Sequence, residues 1–478
     1  MSDMVLWTGE EIVAAVSGKA DSLNWTANGV SIDSRSLEHE DLFVAIVGPV
    51  HDGHEYAAAA LEKGASAVLV SHIPDDVPDG VNVVLVDDTL KALEALGMAA
   101  RARVNAQIVA VTGSVGKTGT KESLLHILAA QGKTHASIGS FNNHWGVPLS
   151  LSRMPRDTEF AIFELGMNHP GELGPLSRMV RPHVALITTI EAVHLEFFDD
   201  VEAIARAKAE IFEGLTQSGS VILNGDNIYG GLLKSIAANT GISRILTFGE
   251  KSEADIKLTD FTLYPDYSDM AVTIASHDVF FRLGVPGRHS VNNILGVLGA
   301  ISELGANIEQ AAASLADIKS PKGRGARHMV PCPGGSYMII DDSYNASPAS
   351  MRASLKVLAG VFPDGKGRRI AVLGDMLELG DKSPDIHQSL KEDVCSADVD
   401  LLYACGPNMA QLVKAMPSTV PTHHEVSSDY LVKPLLSEVG PGDVILFKGS
   451  LGSKMRIPLD ALLARKPVGQ SGDQGGAN

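Results

Sequence analysis

Residues 111–122 read VTGSVGKTGTKE and follow directly on the apolar run IVAV at 108–111. This unit predicts a buried strand, a glycine-rich turn and a helix starting near Lys117. It limits the chain to folds in which a strand and a helix pack in sequence, as in a parallel sheet covered by helices. The rest of the sequence repeats the pattern. Apolar runs at 160–165, 184–190 and 221–224 alternate with helical stretches. A further series at 337–341, 369–373, 401–404 and 444–447 does the same in the last third. Such alternation implies right-handed βαβ crossovers and a mostly parallel α/β fold.

The turn itself has a chemical reading. A helix start presents unpaired backbone N–H groups and the positive end of the helix dipole. Gly113 and Gly116 allow the backbone to fold around phosphate oxygens, with Ser114 and Val115 between them. Lys117 is then placed to meet the β- and γ-phosphates, and the Thr118 hydroxyl to hold Mg²⁺. The spacing G-x-x-G-K-T is shorter than the general phosphate-loop pattern, and the plain alternative is a turn with a solvated lysine.

The chain has 478 residues, about three domains at roughly 150 residues each. With 39 Lys plus Arg against 57 Asp plus Glu, the net charge is −18, which argues against a nucleic-acid partner. A small anionic substrate held by a few local cations is not excluded. Three scattered cysteines with no C-x-x-C argue against a disulfide framework or thiolate zinc site and point to a reducing compartment. The N-terminus lacks a basic region followed by an apolar core, and no apolar run approaches the ~18 residues of a membrane span. A cytoplasmic, soluble protein is the expectation.

The first hundred residues predict strands at 41–47 and 67–70 and helices at 56–64 and 89–103. Residues 255–283 lose the helical alternation and read as an antiparallel addition at the sheet edge. Residues 292–304 form a helix before Gly305, and SPKGRGARH at 320–328 reads as a linker. The tail from 467 has little to bury and is expected to be disordered.

Other candidates lie at strand ends, where open α/β sheets bind ligands. Glu164 closes the strand FAIFEL and can serve as an oxygen ligand for Mg²⁺ or as an ordinary strand-end acid. His194 follows ALITTI on the same rim, where a structural and a site role are both open. Lys208 falls in register with Val201, Ile204, Ile211 and Leu215 on a predicted helix at 201–215. Periodicity alone favours a lysine whose stem lies on apolar surface while its head reaches water. Burial would instead favour the neutral amine, which reacts with CO₂ to form an anionic carbamate. In the last third, Asp341 and Asp342 end a strand, Pro348 suits a first helical turn, and AVLGDMLELG and LFKGSLGSK end strands in glycine-rich turns.

Taken together, IDSRSLEHEDLFVAIVG and DGHEYAAAALEKGA, then TGSVGKTGTKE, SFNNHWGVPLSL, ELGMNHPGEL, AVHLEFF with AKAEIF, GRHSVNN, KGR, DDSYNASPASMRASL, LGDMLELG and FKGSLGSKM resemble the Mur ligase family over nearly the whole chain. Within it they are most similar to members that join D-alanyl-D-alanine to UDP-N-acetylmuramoyl-tripeptide. The resemblance implies three domains: a UDP-sugar-binding α/β domain at 1–105, a central P-loop ATPase-like domain with a parallel sheet at 106–319, and a Rossmann-like domain at 320–466. It implies ATP and Mg²⁺, a monomer, and UDP-N-acetylmuramoyl-tripeptide and D-Ala-D-Ala as substrates.

By the same resemblance, phosphate binding falls on Gly113, Ser114, Val115, Gly116, Lys117 and Thr118, and the metal on Thr118, Glu164, His194 and Lys208. Lys208 matches a lysine carried as N6-carboxylysine in several members, which reverses the preference from periodicity. Lys117, Lys208, Glu164 and His194 form the implied catalytic set. Asn143 and Asn293 match positions near the adenine, and Arg324 and Asp342 reach the ATP from the last domain. Ser34, Arg35, Asn142, Asn168, Asn345 and Lys448 match substrate-facing segments. Gly119 and Ser290 depart from the commoner Thr and Asn, and the D-N-P-R tetrapeptide of the diaminopimelate-adding relative is absent. A related amide ligase and a nucleotide-binding module or small-molecule kinase are the competing readings.

Overall fold

In a computed structural model, residues 5–251 and 253–465 are described. The tail expected to be disordered lies outside them. Among the described residues the strands form four sheets. A four-stranded parallel sheet runs Gly29–Ser31, Asp41–Val44, Ala67–Val70, Val83–Leu85, and a small antiparallel pair joins Trp7–Thr8 to Thr26–Ala27. The strand expected at 41–47 stops at Val44. The helix expected at 56–64 begins as a 3₁₀ turn, Gly53–Tyr56, before Ala57–Glu62.

The central sheet has nine strands. From one edge they are His277–Leu283, Ser268–Ile274, Ile256–Leu263, Arg244–Gly249, Ser220–Asn224, Val184–Ile187, Gln107–Thr112, Phe160–Glu164 and Thr134–Ala136. The six strands from Arg244–Gly249 onward are mutually parallel. The edge region is partly as the sequence predicts. Ser268–Ile274 and His277–Leu283 are antiparallel additions, but Ile256–Leu263 pairs parallel with Arg244–Gly249. One face of this sheet is covered by the helices Lys117–Ala129 and Arg288–Glu303, the other by Gly146–Ser152, Leu173–Val180 and Val201–Ala209.

The third sheet has six strands: Ala326–Cys332, Gly335–Asp342, Val444–Lys448, Arg369–Gly374, Leu401–Cys405 and Thr422–Glu425, antiparallel only at the first pair. The linker read at 320–328 is therefore shorter than expected, since Ala326 already pairs with Asp341. Its Gly-rich part is pinned at both ends. Gly323 N–H donates to Asp341 Oδ2 at 3.1 Å and Gly325 N–H to the Asp341 carbonyl at 2.8 Å.

The first sheet is docked on the central one by arginines. Arg101 is buried and donates from Nε to the Val180 carbonyl at 2.8 Å and from Nη2 to that of Arg181 at 3.0 Å. Arg153 reaches the Val30 carbonyl at 2.6 Å, and Arg103 stacks 3.7 Å over Trp7. Trp7 itself donates its indole N–H to the Ser152 carbonyl at 2.8 Å. No helix among the described residues is long and apolar enough to cross a membrane.

Candidate active site

The strand Gln107–Thr112 delivers the chain into the glycine turn, and the helix starts at Lys117. Gly113 and Gly116 have φ of +148° and +88°, backbone that other residues rarely adopt. Their missing side chains also matter. A Cβ at Gly113 would lie 1.9 Å from Thr188 Oγ1, and one at Gly116 2.7 Å from Asn293 Oδ1. Asn293, expected near the adenine, thus packs against the turn. The helix starting after Gly116 has no side-chain cap, which it shares with others such as Gly230–Asn239 and Arg288–Glu303, but it alone of these three opens on the glycine turn between Gly113 and Gly116. Its first N–H groups are left for an external acceptor, as an anion site requires.

The turn is held in place from the next strand end. Ser114 N–H donates to the Thr189 carbonyl at 2.9 Å and Ser114 Oγ to that of Glu191 at 3.0 Å. Thr188 Oγ1 donates to the Val115 carbonyl at 2.6 Å. Lys117 Nζ folds back onto the Gly113 carbonyl at 2.7 Å. Burial lowers its pKa, the Glu164 charge raises it, and the Arg324 charge lowers it further. These three charged groups therefore share one electrostatic neighbourhood.

Glu164 is 1% exposed and both of its oxygens are engaged. Thr118 Oγ1 donates to Oε2 and Asn142 Nδ2 to Oε1, each at 2.7 Å. A hydroxyl and a carboxylate at this spacing beside a phosphate turn are an all-oxygen donor pair that fits Mg²⁺, whose remaining positions go to phosphate and water. Among the described residues no three His, Cys, Asp or Glu side chains gather around a common point. His194 Nδ1 is engaged with a Glu378 carboxylate oxygen.

Lys208 is 1% exposed, on the helix Val201–Ala209, which tightens into a 3₁₀ turn, Glu210–Gly214, rather than continuing to 215. Burial and the neighbouring Lys117 charge hold its ammonium well below the ordinary lysine range. The head does not reach water, so the reading preferred from periodicity alone is overturned.

The third sheet contributes from across the boundary. Arg324 lies 4.3 Å over the Tyr344 ring and its Nη2 is 3.4 Å from Ser140 Oγ in the central unit. Asp342 accepts from buried Lys448 Nζ at 2.7 Å and from Ser354 Oγ. Lys448 also donates to the Asn345 carbonyl at 3.1 Å, while the Asn345 side chain is exposed. Asn143 accepts from Gly146 N–H at 2.9 Å and so starts the helix Gly146–Ser152. Asn168 is exposed, its N–H donating to Glu172 at 2.8 Å. Ser34 and Arg35 sit apart, in the turn after the strand Gly29–Ser31. The Ser34 carbonyl accepts from Lys63 at 2.7 Å, and Arg35, 88% exposed, pairs with Asp33 at 2.7 Å.

The structure thus gathers Gly113 to Thr118, Asn142, Glu164, Lys208, Asn293 and Arg324 about one turn, with Asp342, Asn345 and Lys448 as a second group. Glu378 was missed from sequence. It lies in LGDMLELG, a segment singled out for its strand end, but nothing local reveals a partner 184 residues away.

Family models match in order along the chain: a Mur ligase family catalytic domain at 26–111, a Mur ligase middle domain at 111–301, and a Mur ligase glutamate ligase domain at 328–451. A Rickettsia prowazekii protein named UDP-N-acetylmuramoyl-tripeptide–D-alanyl-D-alanine ligase is 35% identical over 451 residues, covering 94% of this chain and 98% of its own. The Escherichia coli protein of the same name is 32% identical over 462 residues, covering 96% and 99%. Among solved structures, MurF from Acinetobacter baumannii superposes with a TM-score of 0.83 at 29% identity, covering 96% of this chain and 99% of that one. MurF ligase from Thermotoga maritima, solved with ADP, gives 0.75 at 26% identity, covering 91% and 97%. With the phosphate turn, the buried acid and these full-length matches in agreement, the chain belongs to the Mur ligase family.

Proposed function

We propose that this chain is an ATP-dependent ligase that joins D-alanyl-D-alanine to UDP-N-acetylmuramoyl-tripeptide, a step in building peptidoglycan precursors. The observation that carries the reading is the Thr118–Glu164–Asn142 node beside the uncapped helix start at Lys117. A carboxylate resists attack by an amine at neutral pH, so the acid must first be activated. The tripeptide carboxylate attacks the γ-phosphorus of ATP, giving an acyl phosphate and ADP. The dipeptide amine then attacks the acyl carbon, phosphate leaves with the C–O electron pair, and the amine proton passes to solvent.

The chain's task is positioning and charge neutralisation. The free N–H groups of the turn and Lys117 hold the phosphates, and Arg324 approaches from the third sheet. Bound at Thr118 and Glu164, Mg²⁺ supplies Lewis-acid stabilisation of the transferred phosphoryl oxygens. Lys208 is proposed as N6-carboxylysine. Burial and the Lys117 charge favour the neutral amine, which adds CO₂ and releases a proton to give a carbamate, an anion that the Lys117 charge attracts where it would repel an ammonium. His194 faces the metal from the same rim. Asn142 orients Glu164, and Asn143 and Asn293 border the nucleotide. Asp342 reaches the ATP together with Arg324, Asn345 and Lys448 face the incoming dipeptide, and Ser34, Arg35 and Asn168 the UDP-linked substrate.

The sheets support a division into 1–105 for the UDP-sugar, 106–319 for ATP and 320–466 as a Rossmann-like lobe. One chain carries the whole residue set, which supports action as a monomer, and ATP and a nucleotide sugar as reactants support a cytoplasmic location. The test is phosphate release with each substrate omitted in turn. Release should require both UDP-N-acetylmuramoyl-tripeptide and D-Ala-D-Ala, with the amide product seen by mass spectrometry. Equal ADP formation without the dipeptide, and no amide, would indicate a kinase instead.

A further inference from the structure

His194 and Glu378 meet across the boundary between the central and third sheets. His194 lies on the segment after the strand Val184–Ile187, and Glu378 on the segment after Arg369–Gly374. Their side chains meet in a hydrogen bond between His194 Nδ1 and a Glu378 carboxylate oxygen. The main chains also pair there, since Glu196 N–H donates to the Glu378 carbonyl at 3.3 Å. Both residues have left-handed backbone, with φ of +55° and +63°. Side chains other than glycine rarely adopt it, so two such residues facing each other mark a contact that the surrounding structure enforces. His169, on the loop after Glu164, packs against Phe197 with ring centres 4.5 Å apart and so lines the same corner.

A carboxylate on Nδ1 places the ring proton there and leaves the Nε2 lone pair free. Metal-facing histidines are commonly held in this way, and removing the outer carboxylate weakens metal binding about 10–100-fold. We propose that Glu378 is a positioning residue: it fixes the tautomer and ring orientation of His194, so that the metal site is complete only when the third domain is docked. This rests on the reading of His194 as metal-facing. It gives the third domain a part in assembling the metal centre, besides its contacts to nucleotide and dipeptide.

The test uses the full chain with ADP and Mn²⁺ as the probe, with bound Mn²⁺ read by electron paramagnetic resonance. Glu378→Ala should weaken Mn²⁺ binding about tenfold. Glu378→Gln, whose amide oxygen can still accept the Nδ1 proton, should retain most of it. The double variant His194→Ala/Glu378→Ala should bind no more weakly than His194→Ala alone. Nitrogen-15 NMR of the His194 ring should show an Nδ1–H tautomer that becomes mixed in Glu378→Ala. Wild-type Mn²⁺ affinity in Glu378→Ala, with His194→Ala weakened, overturns the proposal but leaves the metal reading intact. Additive losses in the double variant also overturn it. Unchanged affinity in His194→Ala removes the metal reading and the proposal together.

Discussion

At position 208, sequence register and side-chain chemistry pull in opposite directions. A lysine in an apolar stripe ordinarily lays its stem on the surface and its head in water. Here the helix gives way to a 3₁₀ turn two residues later, and the side chain is enclosed with Lys117 as its charged neighbour. Lys208→Ala is expected to be nearly inactive, with turnover partly restored by added formate or acetate that takes up the vacated anionic position. Full turnover without the additive would count against the carbamate. For Lys117→Ala we expect at least a hundredfold loss of kcat with an unchanged circular dichroism spectrum, since it removes one fixed cation from the phosphoryl site. Both residues could be singled out from sequence, because a glycine turn and a helical period are local patterns. Glu378 could not, because its partner is set by how two domains meet.

Among elements, the strand–turn–helix at 107–129 was readable because three local signals coincide: an apolar strand before, a helix after, and the G-K-T run between them. The parallel pairing of Ile256–Leu263 was not, because alternation reports which face a residue takes and not the direction of the neighbouring strand. The turn after the strand Arg369–Gly374 carries its own pH sensitivity. Buried His387 accepts from Met376 N–H through Nε2 at 2.9 Å, while Nδ1 donates to the Ser383 carbonyl at 2.7 Å. That bonding requires the neutral ring, and burial lowers its pKa from 6.5. Below pH 6.5 the unfolded chain takes up a proton that the folded chain refuses, so stability falls as pH drops through this region and levels off at the lower folded value. In His387→Asn the slope of unfolding free energy against pH below 6.5 should be shallower, as read by urea titrations at several pH values.

For the whole molecule, the two flanking sheets are joined to the centre by different means. The first is fastened by a buried arginine on main-chain carbonyls, with burial and the Arg181 charge lowering the Arg101 pKa to about 10, so it stays charged at neutral pH. Arg101→Ala leaves the Val180 and Arg181 carbonyls without that donor and should cost about 2–3 kcal/mol, seen as a lower denaturation midpoint. The third is met by polar contacts near the site, among them Arg324 to Ser140 at 3.4 Å. Arg324→Ala should leave the midpoint unchanged and raise KM for ATP, because its guanidinium adds little to docking. Three units in a chain of this length were legible from length and alternation. How firmly each is attached was not, since that depends on which side chains become enclosed when the units meet.

Arg324 stands on the short connector whose flanking glycines are tied to Asp341. Any swivel of the third lobe must therefore carry the guanidinium along with it. Lobe angle and triphosphate contact are then a single mechanical coordinate, and a dye at exposed Lys322 would report both at once. For the same reason, lengthening the chain between Gly323 and Gly325 would uncouple lobe angle from triphosphate contact, even with every side chain around the glycine turn left as it is.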